Sequence, residues 1–374
     1  MPDMDLRNAQ AAVVREPGGQ FIIENVKLEA PRRDEVLVKV VATGICATDL
    51  GVQAGHFPTP LPVVLGHEGS GIVEAVGEDV HDLAIGDHVV MSISSCGHCP
   101  MCMAGKPAYC QLAMPLNFLG QRADGSNATI DAHGHKVHDH FFGQSSFGTL
   151  ALANRRSVVK VAKDAPLELL GPLGCGIQTG AGAVLNSLQV QAGSTIAVFG
   201  AGTVGLSAVM AARVAGAVTI IAVDVTQSRL DLALELGATH IVNSAKTDPV
   251  AAIREITGGG VNYSLDCAGR ADVLSKAYSS LAVKGHCGLV GAAPPGTMAS
   301  FEMQELVITG RSITGIVEGD SNPPLFIPKL IALYQQGRFP FDKLVKFYDF
   351  DKINEAAVDA AKGVTIKPIV RLAR

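Results

Sequence analysis

Four cysteines stand close together in Cys96-Gly-His-Cys99-Pro-Met-Cys102 and Cys110. The first three are three residues apart and the fourth follows eight residues later, in a stretch that also holds Gly97, Pro100, Gly105 and Pro107. Four thiolates make a closed tetrahedral shell. Zinc favours such a shell at about 2.3 Å, and a site with no open position shapes a loop and does no chemistry. A similar shell can hold an iron–sulfur cluster, and two disulfides are the remaining reading, which a reducing compartment disfavours.

A second set is dispersed: Cys46 in Gly44-Ile-Cys46-Ala-Thr48-Asp49, His67 in Gly66-His67-Glu68-Gly69, and Cys175 in Gly174-Cys175-Gly176. No spacing argument joins them, and a lone cysteine between glycines reads more readily as a small buried residue. Taken together, two thiolates and one imidazole leave a fourth zinc position for water or substrate. An oxygen acid there is acidified toward a pKa of about 7 in the best-known zinc-water case, so an alcohol becomes easier to deprotonate near neutral pH. Cys267 and Cys287 stand isolated in apolar, strand-like segments.

Phosphate recognition has its own signature. Residues 194–199 read as a buried strand running into Gly200-Ala-Gly202-Thr-Val204-Gly205 and a helical stretch, 206–215. In that setting the first glycine permits a tight turn, the second lets backbone approach a pyrophosphate, the third allows close helix packing, and the helix N-terminus attracts the anion. A second strand, 218–223, ends at Asp224, twenty-four residues after Gly200, where a carboxylate can accept from ribose hydroxyls. The same charge repels a 2′-phosphate, and Val225 and Thr226 supply no cation, which points to NAD rather than NADP. Arg229, about one helical turn on, either stacks along the adenosine or is solvated.

The elements that must carry these residues fall into two groups. Helices at 228–236, 250–257 and 273–282 alternate with strands at 240–242, 263–266, 285–290 and 312–316, as a parallel sheet requires, and give a nucleotide-binding domain over 178–318. The first 150 residues instead hold short β-type segments at 11–14, 35–42, 71–76 and 88–92, separated by Gly, Pro and Asp, the pattern of a compact β-rich barrel. A helix at 328–336 with proline in its first turn and a strand at 366–372 return the tail to that barrel, so the second domain comprises 1–177 and 319–374. The fold class is α/β, a doubly wound sheet beside a β-rich domain.

The 374 residues suffice for two or three domains, and 17% charged against 48% hydrophobic residues exclude a disordered chain. A net charge of -5, basic runs no longer than pairs such as Arg32-Arg33, no tryptophan and 5% aromatics argue against nucleic acid and favour a small-molecule partner. The first twenty residues carry Asp3, Asp5, Arg7, Arg15 and Glu16 and no apolar run, so no secretory leader and a cytoplasmic location are expected. The uncharged stretch 169–212 reads as strand, turn and helix, not as a membrane span. His133, His135, His138 and His140 crowd a segment rich in Gly, Asp and Asn and read as a solvated loop.

In order and context these motifs resemble the zinc-dependent medium-chain alcohol dehydrogenases, over essentially the whole chain. The run from Phe142 to Thr149 resembles the same family, and Leu170-Gly-Pro-Leu-Gly-Cys175-Gly-Ile-Gln-Thr179-Gly is similar to its bacterial aryl-alcohol and geraniol-type branch. The resemblance implies a GroES-like β domain with a structural zinc on Cys96, Cys99, Cys102 and Cys110, and a catalytic zinc on Cys46, His67 and Cys175 in a cleft beside the Rossmann domain. It makes Asp49 the orienter of His67, Glu68 an alternative ligand behind the metal, and Thr48 the acceptor of the alcohol proton while hydride moves to NAD. Thr179 and Val204 would line the nicotinamide, and Lys367 would reach the pyrophosphate. Phe57, Ser92, Phe141 and Ala292 would face the alcohol, two flat walls and two small residues that suit bulky aryl or allylic primary alcohols. Two positions depart from the family: Gly51 where many members carry a relay histidine, leaving water or His56 to carry the proton, and Ala47 where a cation often touches pyrophosphate, which predicts looser coenzyme binding. Polyol, short-chain alcohol and glutathione-dependent formaldehyde dehydrogenases share the scaffold, as do non-catalytic NAD-binding relatives, which usually lack the catalytic ligands kept here. Dimers and tetramers occur in the family, so a homo-oligomer is expected, pairing through 285–295.

Overall fold

The computed structural model describes residues 6–372, so Asp3 and Asp5 lie outside them. Contacts divide the chain into two units, Met1–Cys175 with Asn322–Ile331 and Asp342–Arg374, and Gly176–Ser321 with Ala332–Phe341. The tail therefore divides where the sequence reading keeps it whole. The residues that leave it carry Tyr334, Phe339 and Phe341, whose rings pack on one another.

In the first unit short β-branched runs pair into two sheets. One has the order Val63–Val64, Arg7–Val14, Ile22–Leu28, Thr129–Asp131, Lys136–Val137. The other runs Val158–Val161, His88–Met91, Glu68–Val76, Glu35–Gly44, Lys367–Arg371, Val345–Asp349, with Leu150–Asn154 also on Glu35–Gly44. Val13, Val63, Leu65 and Phe147 share one core with Leu37 of the second sheet, and Val36, Val38, Val89 and Met91 form another on that sheet's opposite face, each removing roughly 1.5 to 3 kcal/mol worth of apolar surface from water.

The register of the second sheet matters most for the site. Gly44 lies opposite Glu68 on one side and Ile369 on the other, so three strand ends meet at one place. Cys46 is two residues beyond Gly44, His67 one residue before Glu68, and Lys367 two residues before Ile369.

The second unit holds six parallel strands in the order His240–Asn243, Thr219–Asp224, Thr195–Phe199, Val261–Asp266, Leu281–Leu289, Ser312–Gly315. Chain order reverses between Thr195–Phe199 and Val261–Asp266, and ligands of such sheets bind outside the carboxyl ends at that reversal. No helix among the described residues is long and apolar enough to cross a membrane, and residues 169–212 contain the strand Thr195–Phe199 and most of the helix Thr203–Ala215.

Three expectations are corrected. The helix read over 273–282 is Ala271–Ser279, because the Ser280 hydroxyl folds back to the Lys276 carbonyl at 2.7 Å and Leu281 already pairs with Val261. The helix read from Pro328 begins at Pro323; Pro323 and Pro324 occupy its first turn, where a missing N–H costs nothing, and Pro328 lies inside. His133 and His135 are exposed, but His140 is buried in an ion cluster. Its Nδ1 meets Asp139 Oδ1 at 2.6 Å and its Nε2 meets Glu35 Oε1 at 3.2 Å, while Arg122 donates to Glu35 at 2.6 Å and to Glu29 at 2.8 Å. Burial opposes a charge on His140, but Asp139 and Glu35 outweigh it and push its pKa up to about 9. Burial likewise works against an ionised Glu35, and His140 and Arg122 overcome it, bringing its pKa down to about 2.

Candidate active site

The three converging strand ends bring Cys46 Sγ, a His67 ring nitrogen, a Glu68 oxygen and Cys175 Sγ within 4.8 Å of one another. Asp49 joins their segments with two oxygens: Oδ1 accepts from His67 Nδ1 at 2.9 Å and from the Gly66 N–H at 3.1 Å, and Oδ2 accepts from the Cys46 N–H at 2.9 Å. With Nδ1 donating to Asp49, the neutral imidazole presents the lone pair of Nε2. Nε2 is fully buried and meets no hydrogen-bond partner among the described residues. That orphaned nitrogen beside two sulfurs fits a metal with an open fourth position.

Cys175 arrives from elsewhere in the chain. It follows the 3₁₀ turn Gly171–Gly174, which lies flat on the sheet: a Cβ on Gly174 would be 2.0 Å from the Met91 carbonyl oxygen, and one on Gly171 2.1 Å from that of Glu68. Ser92 Oγ donates to the Gly174 carbonyl at 2.6 Å. The Cys46 thiol is held well below its ordinary pKa, first by its hydrogen bond with Cys175 and then by His67 and Lys367, against the effect of burial.

Glu68 and Lys367 form the floor. Lys367 Nζ lies 2.7 and 2.9 Å from the two Glu68 oxygens and donates to the Ile45 carbonyl at 3.2 Å. Lys367 is only 2% exposed, so the expected reach to a pyrophosphate is corrected: its ammonium neutralises a buried carboxylate behind the thiolates. Gly44 has no side chain for the same reason, since a Cβ there would be 2.1 Å from Glu68 Oε2.

Aromatic rings cover the imidazole. Phe142 stacks on His67 at 4.4 Å with an interplanar angle of 26°, Phe141 meets it edge-on at 5.6 Å, and Phe118 touches both phenylalanines and stacks on Phe57 at 5.4 Å. Left-handed backbone at His140, Phe142, Gly143 and Ser145 aims these rings, and Gln144 fixes the segment by donating to the His67 carbonyl at 2.9 Å and accepting from the Gly69 N–H at 3.1 Å. Phe118 was not singled out from the sequence, and Phe142 and Gln144 stood out only within the run from Phe142 to Thr149, with no role assigned.

The expected pocket is corrected in part. Ser92 and Phe141 are wholly buried, the first turned toward Gly174 and the second in the core, so neither presents surface to a substrate. Phe57 is half-buried and Ala292 exposed. Phe57 also accounts for Gly51: a Cβ there would be 2.8 Å from Phe57 Cε2, so the ring occupies the space a larger residue would need. His56 is exposed, and Thr48 Oγ1 lies 3.8 Å from Cys46 Sγ.

In the other thiolate set, the four sulfurs of Cys96, Cys99, Cys102 and Cys110 lie within 4.8 Å of one another, and Cys96 and Cys102 are 3.9 Å apart. That is near the roughly 3.8 Å edge of a tetrahedron with 2.3 Å zinc–sulfur bonds and far too long for a disulfide. None of the eight cysteines is in a disulfide. Hydrogen bonds from the Gln111 and Cys102 backbone bring the Cys99 thiol down to about 6, while burial pushes Cys110 up to about 11.

The glycine turn behaves as its motif requires. Gly200 has φ of 99°, and a Cβ on Gly205 would be 1.7 Å from the Gly200 carbonyl oxygen. A Cβ on Gly202 would meet nothing within 4 Å, leaving a cradle above the helix Thr203–Ala215 for a phosphate. Asp224 accepts from the Ala201 N–H at 2.6 Å and the Thr226 N–H at 2.8 Å, so it also braces the turn. Arg229 is half-buried, and its Nε meets no acceptor among the described residues.

Family models agree with this geometry. The alcohol dehydrogenase GroES-like domain matches residues 32–162 and the zinc-binding dehydrogenase domain matches 203–335. The chain is 48% identical over 368 residues to a geraniol dehydrogenase of Castellaniella defragrans, covering 98% of each. Among solved structures it is similar to an alcohol dehydrogenase zinc-binding domain protein of Burkholderia ambifaria, with 59% identity, TM-score 0.98, and 99% of this chain and 100% of that one covered. It is also similar to the benzyl alcohol dehydrogenase of Acinetobacter calcoaceticus, with 53% identity, TM-score 0.96, and coverage of 98% and 100%.

Proposed function

Because the chain belongs to the zinc-binding alcohol dehydrogenases with a GroES-like domain, we propose that it oxidises bulky primary aryl or allylic alcohols to aldehydes with NAD. The observation that carries this reading is the bare, buried Nε2 of His67 between two cysteine sulfurs, beneath stacked phenylalanine rings. Zinc held by Cys46, His67 and Cys175 supplies Lewis-acid polarisation of a hydroxyl, and NAD bound at the glycine turn supplies a hydride acceptor.

The protein's own groups do the rest. Asp49 keeps the imidazole in the required tautomer. Lys367 balances Glu68, so the carboxylate adds no uncompensated charge behind the thiolates. Thr48 takes the alcohol proton, and with Gly51 in place of a histidine the proton leaves Thr48 through water. The half-buried Phe57 and Phe118, stacked on one another and joined to His67 through Phe142, give flat apolar faces, which supports an unsaturated or aromatic substrate, as do the names of the two relatives. In this reading Thr179 and Val204 meet the nicotinamide, Asp224 meets the adenosine ribose and selects NAD, and Ala47 leaves the pyrophosphate without a cation. A second zinc on the four-cysteine lobe holds that loop in shape. The reading is completed by a cytoplasmic location, where thiolates stay reduced, and by a homo-oligomeric assembly.

Initial rates of NADH formation with benzyl alcohol, geraniol and ethanol, compared side by side, test the reading. Benzyl alcohol and geraniol are expected to exceed ethanol by at least about tenfold in kcat/KM, the discrimination that one or two methylene-sized contacts supply. A preference for ethanol overturns the substrate class, and no turnover with any of the three overturns the activity.

A further inference from the structure

Directly after the edge strand Ser312–Gly315, the backbone of Glu318, Gly319 and Asp320 takes φ of 50°, 63° and 50°. Successive left-handed residues bearing side chains are costly, and such backbone persists only where its surroundings fix it. Here it is fixed by the helix Gly176–Gly182. A Cβ on Gly182 would be 2.3 Å from the Gly319 carbonyl oxygen, and one on Gly319 2.5 Å from that of Gln178, so the two backbones touch. Asn186 Nδ2 donates to the Gly319 carbonyl at 3.1 Å. The result is a carboxylate at a fixed place: Glu318 Oε2 accepts from Gln178 Nε2 at 3.2 Å and from Thr179 Oγ1 at 3.3 Å.

That place is at the cofactor end of the sheet. The turn follows the carboxyl end of one parallel strand, and the Gly200 turn follows the carboxyl end of another. Gly180, next to Thr179, lies against the first turn of the helix Thr203–Ala215, where a Cβ would be 1.9 Å from the Val204 carbonyl oxygen. Thr179 and Val204 are thereby neighbours, and Glu318 stands immediately behind Thr179.

We infer that Glu318 is a positioning residue for the nicotinamide end of the cofactor, which fixes Thr179 and Gln178 and places negative charge behind them, favouring the oxidised over the reduced form. The inference rests on the NAD-dependent reading above. The physical reason is the charge of the ring: oxidised nicotinamide is a cation and loses that charge when it accepts hydride, so a nearby carboxylate stabilises the first state and not the second. Such a site holds NAD⁺ more tightly than NADH and eases release of the reduced form.

Equilibrium titration of the purified full chain with NAD⁺ and, separately, with NADH tests this on the wild type and on Glu318→Gln. The glutamine keeps the size and can still accept from Thr179 but removes the charge. NAD⁺ affinity is expected to fall about tenfold while NADH affinity stays within about twofold, the scale of one partly screened charge pair. A merely structural glutamate would weaken both forms alike, so equal changes, or none, overturn the inference. Glu318→Gly suits the left-handed backbone and covers the case of a misfolded glutamine variant; it is expected to show the same lost preference, and a retained preference overturns the inference. A wild-type protein that binds neither form overturns the nucleotide reading itself, and this inference with it.

Discussion

Two buried carboxylates behind the same thiolates are neutralised in different ways. Asp49 accepts from three N–H donors on two segments, whereas Glu68 is paired with the Lys367 ammonium. Removing one partner of a buried ion pair leaves the other uncompensated, and Lys367→Met is expected to destabilise the protein by about 3 to 5 kcal/mol, read as a shift in the urea midpoint. Adding Glu68→Gln to that variant should restore most of the loss, and a double variant no more stable than the single one would show that Lys367 acts through packing alone. This pair also marks where residue reading ran out. Cys46, His67 and Cys175 were legible because their types announce a chemistry, but the lysine was not, because its partner is 299 residues away and nothing local in Lys367-Pro-Ile separates a buried ammonium from one that reaches a phosphate. Ser92 failed similarly: a small residue suggests room, and its hydroxyl is instead taken up by the Gly174 carbonyl.

Elements were easier to read where one period dominates. The parallel strands and helices from Thr195 to Leu289 announced themselves through long apolar runs and glycine stops, and differ from expectation mainly at ends such as Ser279. Short pieces were missed, among them Met303–Thr309 and Ala113–Phe118, because six or seven residues give a helical period too few repeats to register. The two thiolate sites sit on elements of different kinds, and this sets separable outcomes. The lobe hangs on a loop with a four-residue helix, Pro100–Met103, while Cys46 and His67 flank the ends of the paired strands Glu35–Gly44 and Glu68–Val76. Cys110→Ser and Cys46→Ala are each expected to lower zinc from about two to about one per chain by elemental analysis. Only Cys46→Ala should abolish turnover at once, and Cys110→Ser should retain it at first but lose it faster on warming. Equal zinc in variant and wild type would remove the metal from the site concerned.

For the molecule as a whole, the buried cluster of Glu35, Arg122, Asp139 and His140 predicts how stability follows pH. His140 titrates near 9 folded against 6.5 as its ordinary value, so its contribution is complete below about pH 6.5 and is lost as pH rises through about 9. Glu35 titrates near 2 against 4.5, so its contribution is complete above about pH 4.5 and is lost as pH falls through about 2. The cluster therefore supports the fold most between about pH 4.5 and 6.5, and the Tm advantage of the wild type over His140→Gln should shrink across pH 6.5 to 9. An advantage unchanged by pH would mean that the imidazole is neutral in the fold. The central position of the strand Lys367–Arg371, between Glu35–Gly44 and Val345–Asp349, has a consequence for how the enzyme is made. Chains emerge from the ribosome in sequence order, and Lys367 follows Cys175 by 192 residues. All three proposed zinc ligands are thus synthesised long before the lysine that pairs with the carboxylate behind them, so the nascent chain passes through a stage in which the sheet lacks this strand. Ribosome-bound intermediates stalled before residue 367 should carry metal only loosely at the proposed catalytic site.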